Sequence, residues 1–397
     1  MIQTVRFEGY RSLKDVTWNP GKLNVVIGPN GSGKSNLLRA LSLLQRSALG
    51  ELPRDIVKQG GIAPILWDGR APELAWTVTA ADPGDGGRNP DSLTYELRLR
   101  RLGATSAYRV EHELLAKRSS GSKDPGAEST PTKLLERRPG HAAVLDLQER
   151  QLLAHEGSIP DDQTLLSLVS GPFSNHLVSA FRETLAAWSI FHDVHVDQDA
   201  EVRRPAVARI DNRVAADGQN LIPVLHTLYT GHREFKQDVD MAMKAAFGSD
   251  FEEISFPPAA DQRVQLRLRW RSLNSTQSAS DLSDGTIRFL LLLAVLGNPR
   301  PDALIAIDEP EAGLHPAMLP IVAELARQAA DRSQVILTTH SPQLLDAFGD
   351  EPPTTTTARW ENGETRLSVI EGDELGRWLK EYSLGALFRS GELEGMA

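Results

Sequence analysis

Residues 28–35 read Gly-Pro-Asn-Gly-Ser-Gly-Lys-Ser, and this stretch decides the fold. It follows an apolar run at 23–27, typical of a buried strand, and precedes residues 36–46, where leucines recur at helical spacing. In a strand–loop–helix order, glycines allow successive backbone N–H groups to face phosphate oxygens, and the helix N-terminus adds its dipole. The sequence therefore predicts a loop that binds the phosphates of a nucleoside triphosphate.

Individual side chains of this loop have distinct expected roles. Lys34 is expected to reach the β- and γ-phosphates, and the Ser35 hydroxyl to ligate Mg²⁺. The rest of the nucleotide-binding set comprises Asn30, Gly31, Ser32, Gly33 and Asn36. The alternative is a Gly-rich turn that binds nothing, and the ordered strand and helix around the loop argue against it.

A second strand ends in two adjacent carboxylates. Residues 303–309 read Ala-Leu-Ile-Ala-Ile-Asp-Glu, and ligands bind at the carboxyl ends of parallel strands. We expect Asp308 to hold Mg²⁺, directly or through water, and Glu309 to polarise the attacking water as a catalytic residue. The alternative is an acidic pair on the surface, which the phosphate loop makes less attractive.

His340 follows the next apolar strand, 334–338, within the sequence Thr-Thr-His-Ser-Pro. An isolated histidine at a strand end is ordinarily structural. Here it falls on the strand predicted to lie beside the one that carries Asp308, so we expect it to contact the γ-phosphate or the lytic water.

Residues 281–286, Asp-Leu-Ser-Asp-Gly-Thr, open a further helix. Ser283 is a natural N-cap and Gly285 exposes backbone, so the helix N-terminus offers a second surface for an anion. Alone this signal is weak, because an ordinary capped helix has the same residues.

Composition sets limits on the class of protein. The chain has 397 residues, 40% of them hydrophobic and 24% charged, a net charge of -10 and no cysteine. Disulfides, thiolate zinc sites and cysteine nucleophiles are therefore excluded. The longest apolar run, 289–296, suits a buried helix and is too short to span a membrane. We expect a cytoplasmic protein with no membrane partner.

The pattern of strands and helices predicts an α/β fold in three segments. Residues 1–118 hold the phosphate loop and antiparallel strands at 75–80, 93–101 and 107–115; residues 119–275 form a flexible loop and a mainly helical insertion; residues 276–397 hold the second half of the site. Helical periodicity spans 163–188 and 220–247, residues 263–271 alternate as a half-buried strand with a basic face, and 354–370 read as a hairpin before a helix at 373–382.

Together these stretches resemble the ABC-type ATPases of the RecF and structural-maintenance-of-chromosomes (SMC) branch. The nearest group is the stand-alone "predicted ATPase" group related to the ATPase half of overcoming-lysogenization-defect (OLD) nucleases. The matching stretches are 7–13 (Phe-Glu-Gly-Tyr-Arg-Ser-Leu), the Walker A loop 28–35, 217–221, the signature 282–286, the Walker B stretch 308–316, 339–342 and 378–385.

The resemblance implies a P-loop fold of ABC head type and a mechanism in which two heads close face to face around two ATP molecules. Ser283 and Gly285 of one copy would then contact the γ-phosphate bound by Lys34 of the other. Glu309 would be the general base, His340 the γ-phosphate sensor, and Arg11 would lie near the nucleotide. Residues 311–315 would link the two sites.

Three departures from the family pattern set bounds on this comparison. The signature reads Ser-Asp-Gly-Thr, where transporter ATPases have Ser-Gly-Gly-Gln or Ser-Gly-Gly-Glu. Too few residues follow His340 for us to expect the nuclease domain of the OLD group. The insertion lacks a long coiled coil and a Cys-based zinc hook. The family also has a glutamine that contacts Mg²⁺, and Gln59, Gln151 and Gln163 all remain candidates.

These features favour a dimerising Mg-ATPase in DNA repair, chromosome handling or anti-phage defence. Basic residues outnumber acidic ones between 98 and 138, and with Arg267 they form a candidate DNA surface, although solvated strand faces explain them equally well. An alternative is a nucleotide-dependent switch that controls a separately encoded effector or nuclease without DNA contact. A transporter subunit is the least favoured, because the insertion is too long.

Overall fold

The computed structural model describes residues 1–81, 91–118, 131–154, 157–169, 175–349, 351–370, 378 and 382–395. Its contacts divide the chain into two compact units. The first contains Met1–Gly21, Gly28–Trp188 and Thr356–Val369, and the second contains Lys22–Ile27, Ser189–Thr355 and Ile370–Ala397. Each unit is therefore built from separate stretches of the chain, whereas the sequence suggested three consecutive segments.

The strands are numbered in chain order. Their bounds are β1 (Ile2–Tyr10), β2 (Leu13–Trp18), β3 (Leu23–Ile27), β4 (Glu73–Ala81), β5 (Ser92–Arg101), β6 (Tyr108–Arg118), β7 (Thr132–Arg138), β8 (His141–Asp146), β9 (Gln151–Ala154), β10 (Ser189–Phe191), β11 (Ala206–Val207), β12 (Phe251–Ser255), β13 (Pro258–Ala259), β14 (Arg263–Val264), β15 (Arg267–Trp270), β16 (Gln277–Ser278), β17 (Leu304–Asp308), β18 (Gln334–Thr339), β19 (Thr354–Glu361) and β20 (Glu364–Val369).

The helices of the described residues follow the same convention. They are α1 (Lys34–Leu49), α2 (Leu52–Lys58), α3 (Leu165–Leu168), α4 (His176–Ala186), α5 (Leu221–Gly231), α6 (Arg233–Phe247), α7 (Asp284–Leu296), α8 (Leu319–Ala330), α9 (Pro342–Asp346), α10 (Leu384–Ser390) and α11 (Glu392–Gly395). The predicted helices at 36–46, 220–247 and 284–296 are confirmed, the second of them as the pair α5 and α6.

The first unit is organised by an eight-stranded antiparallel sheet in the order β2-β1-β4-β5-β6-β7-β8-β9. Helix α1, which starts inside the phosphate loop, is tied to this sheet by Trp76, whose indole N–H donates to the carbonyl of Ala40 at 3.1 Å. The predicted strands at 75–80, 93–101 and 107–115 are confirmed as β4, β5 and β6. The antiparallel lobe expected from the sequence is therefore present.

This sheet continues past residue 118, where the sequence suggested that a mainly helical segment begins. Strands β7, β8 and β9 extend it to Ala154, and the first helix after residue 118 in the described part of the chain is α3. Alternation is faint in these strands, because all of β9 is exposed and β7 has four consecutive buried residues that include the charged Glu136 and Arg137. Their strand character was therefore missed.

The second unit is organised by parallel strands in the order β10-β17-β18-β3. Residues 304–307 of β17 and 335–337 of β18 are apolar and buried, as expected for a sheet covered on both faces. Helices α7 and α8 bury apolar faces in the same hydrophobic core, together with α5 and α6. The carboxyl ends of β3, β17 and β18 consequently lie along one edge of the sheet.

The predicted strand at 263–271 is divided between two sheets. Strand β14 pairs with β11 and β13, whereas β15 pairs with β12 and β16. The expected alternation holds across the break, since Val264, Leu266 and Leu268 are all buried. The hairpin predicted at 354–370 is confirmed as β19 and β20, which turn at Asn362 and Gly363. Residues 82–90, most of the flexible loop predicted to begin at residue 119, and most of the helix predicted at 373–382 lie outside the described residues.

Glu113 is a fully buried carboxylate on β6 that organises the start of α3. It accepts hydrogen bonds from the Tyr95 hydroxyl at 2.9 Å and from the backbone N–H groups of Leu165 and Leu166 at 2.6 and 2.9 Å. These helix N–H groups have no partner within the first turn of α3, so the carboxylate supplies one. Burial raises the pKa of Glu113, and the donated hydrogen bonds oppose that rise.

We expect Glu113→Ala to lower the free energy of unfolding by about 3 kcal/mol, because it leaves three buried donors without their acceptor. Urea denaturation measures this difference. Since burial holds the pKa above its ordinary value of 4.5, ionisation favours the unfolded chain as pH rises. The stability gap between wild type and variant should therefore be larger near about pH 4 than near about pH 7. As a control, Glu96→Ala on β5 should cost less than about 1 kcal/mol, because Glu96 is paired only at the surface. Equal effects of the two substitutions would contradict this role.

Candidate nucleotide-binding and catalytic site

The phosphate loop adopts a backbone that its glycines make possible. Gly33 has φ 101°, and a Cβ there would lie 2.0 Å from the Thr365 hydroxyl oxygen and 2.8 Å from that of Ser12. A larger residue at position 33 would therefore be strained in φ and would also displace both hydroxyls. Helix α1 begins immediately after this residue, so its N-terminal N–H groups point into the loop.

Thr365, on β20, supports the loop from a remote part of the sequence. Its hydroxyl donates to the Ser32 carbonyl at 2.9 Å and lies 2.7 Å from the Ser12 hydroxyl, and its backbone N–H donates to the Ser12 carbonyl at 2.8 Å. Ser12 also accepts a hydrogen bond from the Asn36 side chain at 2.8 Å. The sequence predicted the hairpin but not this role, because a threonine in a strand carries no signal of a contact so far along the chain.

Lys34 lies inside the loop and is buried. Its amine donates to the carbonyls of Gly28 and Pro29 at 2.6 and 3.1 Å. The hydroxyl oxygen of Ser32 is buried with no hydrogen-bond partner among the described residues. A buried amine, an unsatisfied hydroxyl and the N–H groups of a helix start together suit an anion such as a triphosphate.

Arg11, in the first unit, directly precedes Ser12, whose hydroxyl accepts a hydrogen bond from the Asn36 side chain. It has φ 45°, an uncommon backbone angle for a residue with a side chain, and its N–H donates to the Ile65 carbonyl at 2.8 Å. Its guanidinium donates to the Gln59 side-chain oxygen at 2.9 Å. Gln59 is thus the candidate glutamine in contact with a predicted nucleotide-binding residue, whereas Gln151 lies on the exposed strand β9 and Gln163 follows a turn.

In the second unit, Asp308 and Glu309 occupy the end of β17 beside β18. Asp308 accepts a hydrogen bond from the Thr338 hydroxyl, and the backbone N–H of Glu309 donates to the Thr338 carbonyl at 3.1 Å. Glu309 has φ 48°, which turns the chain sharply as it leaves the strand. Strained backbone of this kind in non-glycine residues is concentrated at functional sites.

His340 and Glu309 are in direct contact. The His340 Nδ1 atom lies 2.9 Å from the Glu309 Oε1 atom, and both residues directly follow adjacent strands. The two side chains are partly open to solvent, with exposed fractions of 48% and 35%, so both are accessible to a substrate. The two residues predicted from separate motifs are therefore brought together within one unit.

Glu311 lies in the segment that follows β17, and its side chain contacts the end of β18. Its Oε1 atom accepts hydrogen bonds from the Thr339 hydroxyl and, at 3.4 Å, from the His340 N–H. Its Oε2 atom is buried and has no hydrogen-bond partner among the described residues. Burial raises the pKa of Glu311, and the two donors oppose this rise.

The signature residues lie at the start of α7. Ser283 is the N-cap, and its hydroxyl accepts a hydrogen bond from the Thr286 N–H at 3.1 Å. Gly285 packs so closely on the loop after β17 that a Cβ would lie 2.3 Å from the Gly313 carbonyl oxygen. Glycine is therefore required at 285, and Ser283 itself is exposed at the helix N-terminus.

A cavity of about 280 Å³ lies in the second unit beside the carboxylates. Its polar lining comprises His192, Asp193, Arg288, Asp308 and Glu309. The first two of these residues directly follow β10, which pairs in parallel with β17. The cavity gives the Glu309 carboxylate a partly enclosed, charged environment.

The predicted Mg²⁺ ligands are Ser35, at the start of α1, and Asp308, at the end of β17. Among the described residues, no group of three or more His, Asp or Glu side chains has the spacing of a metal site. Mg²⁺ bound with a nucleotide takes its ligands mainly from phosphates and water, plus one or two protein oxygens. Each residue, taken by itself within its own unit, therefore supplies an oxygen of the kind that this ion takes from a protein.

The fold and these site residues define an ABC-type ATPase head that binds ATP. None of the helices in the described part of the chain is both long and apolar enough to cross a bilayer. The family described as "AAA domain, putative AbiEii toxin, Type IV TA system" matches residues 23–346, and the chain belongs to this family.

Relatives and solved structures agree with this assignment. An OLD nuclease from Thermus scotoductus is 24% identical over 363 residues, which cover 87% of this chain and 60% of that protein. A hemin import ATP-binding protein HmuV from Agrobacterium fabrum is 42% identical over 59 residues, 14% of this chain and 23% of the relative. The chain thus spans less than two thirds of the curated relatives that it matches.

The fold is similar to that of SMC heads. The SMC head bound to the C-winged helix domain of ScpA aligns with a TM-score of 0.58 and 15% identity over 95% of this chain and 99% of that one. An SMC head from Pyrococcus furiosus bound to the C-terminal domain of ScpA aligns with a TM-score of 0.55 and 13% identity over 96% and 98%. The expected ABC head fold and the relation to the OLD and SMC branch are confirmed.

We expect Thr365→Val to weaken ATP binding about tenfold, because it removes the hydroxyl that supports Ser32 and Ser12 while preserving side-chain volume. Isothermal titration with ATP measures the change. Thr357→Val is the matched control, since the hydroxyl of this buried threonine, on the same hairpin, donates to the Ser368 carbonyl at 3.4 Å, within the hairpin itself. Equal affinities of the two variants would show that Thr365 does not support the loop.

Proposed function

We propose that this chain hydrolyses ATP with Mg²⁺ and that two copies close on each other around two nucleotides. The observation that carries the proposal is the contact between Glu309 and His340 at the ends of adjacent parallel strands. A carboxylate held at hydrogen-bond distance from an imidazole can accept the proton that an attacking water gives up. ATP is the substrate that we propose for this pair.

In the proposed reaction, Glu309 takes a proton from the water that attacks the γ-phosphorus, and the bond to the ADP oxygen breaks. His340 orients that carboxylate and contacts the γ-phosphate. Lys34, Arg11, Asn30, Gly31, Ser32, Gly33 and Asn36 bind the nucleotide. Ser35 and Asp308 would hold Mg²⁺, which supplies positive charge that offsets the negative charge of the phosphates.

The position of the signature turn supports closure by a second copy. Ser283 is exposed at a helix N-terminus, where a hydroxyl and backbone N–H groups suit an anion. We propose that Ser283 and Gly285 contact the γ-phosphate held by Lys34 of the second copy. A single chain would then hydrolyse ATP slowly, because its site lacks the residues that the other copy supplies.

We expect Glu309→Gln to bind ATP and to accumulate as an ATP-bound dimer, because the amide cannot accept the proton from water. Lys34→Ala, the control, should bind ATP at least about a hundredfold more weakly and remain monomeric. Light scattering with size-exclusion chromatography, with and without Mg-ATP, measures both. If Glu309→Gln remains monomeric at saturating Mg-ATP, the two-headed mechanism is wrong.

ATP hydrolysis has two candidate biological roles in this protein. The first is handling of DNA in repair, chromosome maintenance or anti-phage defence, as suggested by relatives named as an OLD nuclease and SMC heads. The second is a switch that holds or releases a separately encoded effector. The basic stretch at 98–138 bears on this choice, because DNA affinity depends on unpaired positive charge.

Ion pairs neutralise much of the basic stretch at 98–138, which favours the second role, a switch that controls an effector. The paired residues are Arg98 with Glu73, Arg100 with Glu73 and Glu111, Arg109 with Glu111, Lys117 with Asp91, and both Lys133 and Arg138 with Glu136. Each acid lies on the same sheet surface or beside it, so the phosphate of a DNA strand would compete with a carboxylate already in place. This surface is therefore a weaker DNA site than its sequence suggests.

We expect Arg100→Ala to leave the affinity of the ATP-bound protein for duplex DNA nearly unchanged, because Arg100 already pairs with two carboxylates. Fluorescence anisotropy at low and moderate salt measures both affinities. A wild-type affinity that falls steeply with salt, and that Arg100→Ala reduces about tenfold, would instead support a DNA surface. Pull-down with and without ATP then tests for an effector that changes with nucleotide.

A further inference from the structure

Arg203 is a buried guanidinium that the motifs of the sequence do not explain. It ends a short 3₁₀ turn, Glu201–Arg203, in the second unit, and its side chain is 2% exposed. Burying a guanidinium is unfavourable unless hydrogen-bond acceptors surround it. Its acceptors therefore indicate what the residue is for.

Those acceptors belong to two separate segments. On one side, Nε donates to the carbonyls of Val196 and Asp197 at 2.8 and 2.9 Å, in the segment that follows β10. On the other side, Nη1 donates to the carbonyls of Ala279 and Leu282 at 3.3 and 2.6 Å. The remaining nitrogen, Nη2, donates to the carboxylate of Asp284.

The second group of acceptors encloses the signature turn. Leu282 directly precedes Ser283, and Asp284 directly follows it, so one rigid guanidinium fixes the chain on both sides of the exposed serine. Its planar fork of donors has a fixed geometry, which the single ammonium of lysine cannot reproduce. Gly285, held against the Gly313 carbonyl, is the next residue in the same turn.

We propose that Arg203 is a positioning residue that sets the signature turn in the geometry needed to contact the triphosphate of a second copy. This inference rests on the proposed two-headed mechanism and adds to it the residue that prepares the contacting surface. Arg203 is not a catalytic residue, because it is buried behind the turn and touches backbone and Asp284. Its effect should therefore appear in the second copy's site and not in ATP binding by its own chain.

The test uses Arg203→Lys, which preserves the charge but not the fork. We expect its ATPase turnover to fall at least about tenfold, while the affinity of the isolated chain for Mg-ATP stays within about twofold of wild type. Arg204→Lys is the matched control, because Arg204 is exposed and donates to the Asp199 carbonyl at 3.2 Å. It should keep wild-type turnover.

Mixing variants then assigns the defect to one side of the interface. Lys34→Ala cannot hold ATP but has an intact signature turn, so its mixture with Arg203→Lys creates one complete site in each mixed dimer. We expect turnover at least about tenfold above that of either variant alone. Ser283→Arg mixed with Lys34→Ala should recover turnover in the same way and serves as the reference.

Each outcome has a definite meaning. If both mixtures recover, the positioning role is supported. If only the Ser283→Arg mixture recovers, or if Arg203→Lys keeps wild-type turnover, the role of Arg203 is overturned and the two-headed mechanism stands. If the Ser283→Arg mixture does not recover, the two-headed mechanism fails and this inference fails with it.

A second variant keeps the test valid if Arg203→Lys does not fold. Should thermal unfolding show that Arg203→Lys does not fold, Asp284→Asn replaces it in the same mixture, since the Asp284 side chain is 60% exposed and its substitution leaves no cavity in the core. Asp284→Asn removes the negative charge of the carboxylate to which Arg203 donates, so it weakens the same contact from the acceptor side. It should show a smaller loss of turnover that Lys34→Ala rescues; wild-type turnover would overturn the role.

Discussion

The parallel pairing of β17 with β18 is the constraint on which the proposed chemistry depends. Its register places Asp308 opposite Thr338, so that Glu309 and His340 emerge together at the sheet edge. The Thr338 backbone fixes the Glu309 N–H and its hydroxyl fixes Asp308, while the left-handed φ of Glu309 turns the carboxylate toward His340. Such a backbone angle costs on the order of 1–3 kcal/mol, which the buried core of these strands offsets.

Both turns that we propose to contact the triphosphate are supported by residues distant in sequence. Thr365 supports the phosphate loop within the first unit, and Arg203 supports the signature turn within the second. In each case the proposed contact residues are mainly glycine or serine, which supply backbone and hydroxyl groups but little rigidity of their own. A supporting contact is what allows such small residues to hold a fixed geometry.

The local motifs could be predicted from the sequence because their physical causes are local. A glycine loop between strand and helix, a serine N-cap at 283 and carboxylates at 308 and 309 are each visible within ten or so residues. The strands β7 to β9 were missed because their alternation is faint. The roles of Thr365 and Arg203 depend on contacts between distant segments, and one sequence contains no signal of which segments meet.

The position of Thr365 also affects how genes of this kind are recognised. The ATPase motifs, from the Walker A loop to the stretch 339–342, end by Pro342, whereas the hairpin that braces the phosphate loop begins at Thr354. A frameshift between these points would leave those ATPase motifs intact and remove the brace. Surveys that score genomes by motif alone would therefore count such pseudogenes as working copies.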